Sequence, residues 1–151
     1  MARTLRYALV GLGALAFLVV SAGLARVLGA ANAERDAVID IVKAQSHGDR
    51  AQVIRSIRGC GSDAACRDRM IANVTRLHSP EKVRVLRLDG PSQLSFRPRT
   101  RPVRIAWRAG DALPVVQCVK LRRDGDLVQG FHVEVLALSD PIRRDAGCPG
   151  A

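Results

Sequence analysis

His132 and Glu134 stand two residues apart in a run whose other positions, Phe131, Val133 and Val135, are apolar. Period-two alternation marks a strand, so both polar side chains project from one face of it. A histidine beside a carboxylate can move protons near neutral pH when the two line a pocket. The plainer reading, a solvated strand face, is preferred, because the neighbouring segments offer no third polar group to complete a site. His47 beside Gly48 and His78 before Ser79-Pro80 read as polar residues at helix ends. The three histidines are scattered and form no ligand cluster with the cysteines, so neither a zinc site nor another cofactor is expected. No catalytic motif of high specificity is present, and a non-catalytic protein is preferred over an enzyme.

The densest charged feature is basic. Arg97, Arg99, Arg101, Arg104 and Arg108 fall within twelve residues, interleaved with Pro98 and Pro102. Such a run can meet anionic head groups, an envelope polymer or an acidic partner face. The plainer reading, a solvated loop and sheet edge where prolines and charges block edge-to-edge pairing, is preferred. Net charge is +10, and +7 remains beyond residue 33. Arginine outnumbers lysine by 21 to 3, and only five residues are aromatic: Tyr7, Phe17, Phe96, Trp107 and Phe131. Nucleic-acid binding ordinarily adds stacking aromatics or a recognisable module, so nucleic acid is not an expected partner. Trp107 lies on an alternating apolar face and is expected in the core.

Four cysteines, Cys60, Cys66, Cys118 and Cys148, are an even number in a small chain. In an exported domain that count suggests two disulfides, with three pairings open. A local Cys60–Cys66 loop, with Cys118 tying down the tail through Cys148, is preferred. No CxxC occurs, which argues against a thioredoxin-type site.

What must position these groups begins with an anchor. Residues 7–25 are nineteen consecutive uncharged residues. As a helix they would extend roughly 28 Å, close to the thickness of a bilayer's hydrocarbon core. Arg3 and Arg6 precede them, and positive residues stay cytoplasmic, which puts the bulk of the chain outside. A long signal peptide is the competing reading, with Ala31-Asn32-Ala33 as the small-residue cleavage site before Glu34. Length favours a single-pass membrane anchor over a cleaved, secreted form. The expected division is residues 1–32 as membrane segment and 33–151 as an extracytoplasmic domain.

Beyond it, Asn32 is expected to cap a helix over 33–46 whose face carries Val38, Ile41, Val42 and Gln45. Asp49, with Gln52 three residues on, starts a second helix, and Ser62 or Asp63 a third that ends before Pro80. Valine-rich alternation then predicts strands over 82–88, briefly over 93–96, over 103–108, and on either side of Asp124-Gly125, which reads as the hairpin turn. A two-residue turn there would put Phe131 on the wrong face, so an odd-length loop or a bulge near Gly130 is expected. The predicted fold is α+β: two or three helices packed on a curved antiparallel sheet of about four strands.

Helices first and strands after, with the amphipathic segment 37–49 (AVIDIVKAQSHGD) ending in Gly48-Asp49 and running at once into a second helix, resembles the NTF2-like (cystatin-like) superfamily. The two long strands around Asp124-Gly125 are similar too, and the resemblance covers residues 33–140. It implies a helix-and-sheet cone. In the superfamily's enzymes that cone holds acid–base residues, a set that does not map onto this sequence residue by residue. Other members are non-catalytic domains held outside bacterial membranes on one helix, as in conjugation and secretion machines, and the anchor and cysteines here look more like those. Two functions therefore stand: a membrane-anchored interaction domain of the cell envelope, meeting protein or anionic polymer through the basic run, or a small exported enzyme or ligand-binding protein. A cone filled by valine, leucine and isoleucine would favour the first, and a pocket with convergent polar groups the second.

Overall fold

The computed structural model describes residues 2–90, 99–126 and 130–148. The chain is α+β: helices α1 (Ala2–His47), α2 (Arg50–Ser56) and α3 (Ala64–Leu77), then strands β1 (Val83–Asp89), β2 (Arg99–Ala109), β3 (Val115–Asp126) and β4 (Gly130–Leu138). The strands form one open antiparallel sheet in the order β1-β2-β3-β4.

α1 is a single helix where two segments were expected, and Asn32 lies inside it rather than capping it. Residues 26–33 contain no proline, and alanine, leucine and arginine all favour the helix, so Gly29 alone does not stop it. Its two halves meet different surroundings. Leu12, Leu15, Phe17, Leu18 and Val19 are 60–71% exposed. This stretch is long and apolar enough to cross a membrane, with mean hydropathy 2.0. In the second half Val38, Ile41, Val42 and Gln45 are fully buried, so the predicted face is the one that packs.

α1 stops at Gly48, whose φ of +83° is costly for any residue with a Cβ. Asp49 caps α2 by accepting from the Gln52 amide at 2.8 Å, and Asp63 caps α3 by accepting from the Cys66 amide at 3.2 Å. Each cap satisfies an amide that the first helical turn leaves without an intrahelical partner. A Cys60–Cys66 disulfide ties the loop between these helices to the first turn of α3.

Alternation along the strands puts Val85 and Leu88, Val103, Ile105 and Trp107, Val119 and Leu121, and Val133 and Val135 on the helix-facing side. With Met70, Val74 and Val53 they fill the space between helices and sheet. One polar network sits inside. Gln117 Oε1 accepts from Gln45 Nε2 at 3.1 Å and Trp107 Nε1 at 3.0 Å, while its amide donates to the Ser139 carbonyl at 3.0 Å. Buried polar groups so paired cost little.

The hairpin has the expected odd-length connection but turns later than Asp124-Gly125. Asp124 and Gly125 belong to β3, and pairing continues to Asp126 opposite Gly130, leaving residues 127–129 as an odd-length connection. Leu121 then faces Val135, and the apolar faces match. The short strand expected over 93–96 lies outside the described residues. Pro102 sits in β2 beyond Arg104, where pairing with β1 ends, so its missing N–H breaks no bond to β1.

After β4 the tail returns along β3, with the Ser139 and Ile142 amides donating to the Cys118 and Val116 carbonyls, both at 2.8 Å. A disulfide then joins Cys148 to Cys118, Cα to Cα 5.7 Å. The tail accounts for the burial of Val116 and Cys118, which lie on the sheet's outward face.

Candidate functional site

The arginines of β2 divide between the two faces of the sheet. Val103, Ile105 and Trp107 point to the helices, and two residues before Val103 the same alternation carries Arg101 inward. On β3, Arg123 follows Val119 and Leu121 inward in the same way. The two guanidinium groups meet Glu34 of α1. Arg101 Nη2 pairs with Glu34 Oε2, and Arg123 Nη1 lies 3.7 Å from Glu34 Oε1. The side chains of Glu34, Arg123 and Arg101 are only 7%, 6% and 15% exposed. Burial lowers the pKa of both arginines, and for Arg101 repulsion from Arg123 adds to it. Arginine stays charged at any pH met in a cell, so the buried carboxylate faces two cations. Beside this triad opens a cleft of about 410 Å³, bordered by Asn32 and Arg35 on α1 and by Leu88, Val103 and Leu121 on the sheet.

Arg104 and Arg108 point outward. Arg104 Nη1 reaches Asp89 Oδ2 at 3.3 Å, and its Nη2 donates to the Arg144 carbonyl of the returning tail. Arg108 is opposite Arg84 of β1, a pair of like charges face to face. Among the described residues neither forms an ion pair and the buried Nε of Arg108 has no acceptor. Lys82 joins them around a cleft of about 430 Å³, with Glu81 and Asp111 on its border. Arg99 opens β2 opposite Arg123 in the backbone register, and Arg97 lies outside the described residues.

His132 and Glu134 share the outward face of β4, and among the described residues no hydrogen bond joins them. Glu134 Oε2 accepts instead from Arg58 Nη1 at 2.5 Å. It borders an open cleft of about 480 Å³ with Asp40, Gln52 and Arg55, which His132 does not line. His78 lies with Nδ1 3.1 Å from the Ser46 carbonyl, against Gly48, and so packs the end of α1. Among the described residues no three His, Cys, Asp or Glu side chains converge as a metal site.

Sequence reasoning grouped the arginines by density and missed Glu34, Lys82, Arg84 and Arg123. Arg123 carried a readable signal, since it continues the inward alternation of Val119 and Leu121. Glu34 carried none, because its partners lie far along the chain. An apolar helix able to serve as anchor or signal, together with two disulfides, points to an oxidising compartment outside the cytoplasm. Comparison with known proteins finds no family model, no curated protein and no solved structure that matches this chain.

Proposed function

We propose that this protein is a single-pass, non-catalytic interaction domain of the cell envelope, held outside the cytoplasm on α1 and distantly NTF2-like. One observation carries the reading: a single unbroken helix is both the exposed apolar segment and a wall of the domain core, with Ala30 at 4% and Glu34 at 5% exposure. Cleavage after Ala33 would remove a buried residue and place a new amino terminus beside the Glu34 triad. Val42, Ile105 and Val119 fill the middle of the space between helices and sheet, and the Glu34, Arg101 and Arg123 side chains beside the cleft of about 410 Å³ at its end are engaged with one another, which supports the non-catalytic part. Outward Arg104 and Arg108, with Arg97 and Arg99 nearby in sequence, supply the basic surface for a protein or anionic partner.

The test is intact mass on protein from fractionated cells, with and without reduction. The expected result is a full-length chain in the membrane fraction with no thiol available until reduction. A soluble chain beginning at Glu34 would overturn the anchor and make an exported binding protein or enzyme the better reading.

A further inference from the structure

The two edges of the sheet are treated differently. β4 is covered at Val135, by a parallel bridge from Ile57 and by the Arg58 amide donating to the Val135 carbonyl at 2.8 Å. β1 is the other edge, and among the described residues no strand pairs its outer side. An edge strand presents unpaired backbone donors and acceptors in a row, a template for another strand. Leu86, at the irregularity between Val85 and Arg87, is 49% exposed on it. At the start of this edge stand Lys82, Arg84 and the opposed Arg108, the last two without ion-pair partners among the described residues.

We infer that β1 is a docking edge for an extended acidic segment of a partner protein, which adds to the sheet as a fifth strand and sets its carboxylates against Lys82, Arg84 and Arg108. Three considerations select this occupant. A second copy of the chain would bring its own Arg84 and Arg87 to the same edge, and like charges placed opposite each other repel. An anionic glycan could neutralise the arginines but could not complete the backbone ladder, which needs peptide N–H and C=O groups. A lipid surface is out of reach of this basic cluster, though not of the Leu88 end of β1: the Ser79 amide, three residues before Lys82, bonds the Ser46 carbonyl near the end of α1, and that level is roughly 30 Å along the helix from Ala25. The inference rests on the interaction-domain reading above and names the partner's chemistry.

The probe is a synthetic twelve-residue peptide alternating valine and glutamate, with a valine–lysine peptide as control. The full chain in lipid nanodiscs is followed by amide hydrogen exchange. The acidic peptide is expected to slow exchange along β1, residues 83–89. Replacing Arg84→Glu together with Arg108→Glu should weaken its binding at least about tenfold and turn the preference toward the lysine peptide. Should the double variant fold poorly by thermal melting, Arg84→Gln alone, at an exposed position, should still weaken binding severalfold. Equal protection by both peptides, or binding of the acidic peptide with β1 exchange unchanged, would overturn the proposal. A photocrosslinker at Leu86, set against one at exposed Leu113, separates the two levels of the argument in cells. A membrane-inserted chain that crosslinks to a partner at Leu113 but not at Leu86 overturns the docking edge and leaves the interaction domain standing. A soluble chain that crosslinks at neither overturns both.

Discussion

Glu34 of α1 is ion-paired with Arg101 of β2 inside the protein, their side chains 7% and 15% exposed, with Arg123 of β3 3.7 Å from the other carboxylate oxygen. The pair fastens the sheet to α1 close to where the helix leaves its exposed apolar stretch. A buried carboxylate and two guanidinium groups are each costly to desolvate, and the cost is met only while all are present.

Removing the carboxylate should therefore be worse than removing an exposed charge. Glu34→Gln leaves Arg101 and Arg123 facing each other and is expected to lose about 3 kcal/mol of stability. Arg101→Met should lose a similar amount, and the two losses should be strongly non-additive because they break one contact. Urea unfolding followed by Trp107 fluorescence reads this directly, since Trp107 is the only tryptophan and is 1% exposed. Additive losses would mean that the pair does not act as a unit.

The two disulfides should differ in worth. Cys118–Cys148 closes a separation of 30 residues and Cys60–Cys66 one of 6. Chain entropy predicts about 3.5 kcal/mol for the first and about 2 kcal/mol for the second. Paired serine variants, compared by thermal melting, should follow that order. Loss of the longer bridge should also raise amide exchange at Ile142, whose N–H bonds the Val116 carbonyl.

Local rules made much of this fold readable. Asp49 and Asp63 announce their helices, and Val38, Ile41 and Val42 their face, because capping and amphipathic spacing act within one turn. Two misreadings came from weighing a local signal without its surroundings. Asn32 is a good cap only where the chain leaves the helix, and nothing there makes it leave. Asp124-Gly125 is a good turn only where the ladder ends, and the ladder runs on to Asp126 opposite Gly130. Gln45 illustrates what one sequence cannot show. It is the polar member of an apolar face, and its burial makes sense only beside Gln117 and Trp107, which belong to distant strands.

Asp89 gives the fold a dependence on acidity. Its carboxyl is held below the ordinary carboxylate range, chiefly by the hydrogen bond from Arg87, with Arg104 adding to it against some desolvation. A folded value below the unfolded one, about 3.9, means that the stabilisation is complete above roughly pH 4 and is lost as the pH falls through the folded value. Asp89→Asn should lower the melting temperature at pH 7, and the difference from the parent should shrink below pH 4. A constant difference down to pH 2 would assign the effect to packing instead.

Gly125 tests where the hairpin turns. Its φ is +106°, and a Cβ built there would lie 2.1 Å from the Gly130 carbonyl oxygen, a backbone atom that cannot swing aside. Gly125→Ala thus combines an unfavourable backbone conformation with a clash across the ladder, and about 2–4 kcal/mol of destabilisation is expected. Gly130 has φ +90° but no atom within 4 Å of its Cβ position, so Gly130→Ala carries the conformational cost alone, about 1–2 kcal/mol. The difference between the two variants isolates the close approach of β3 to β4 at this pair. If Gly130→Ala proved the more damaging, β3 and β4 would not approach closely at Gly125, and the turn would have to lie nearer the Asp124-Gly125 position that the sequence suggests.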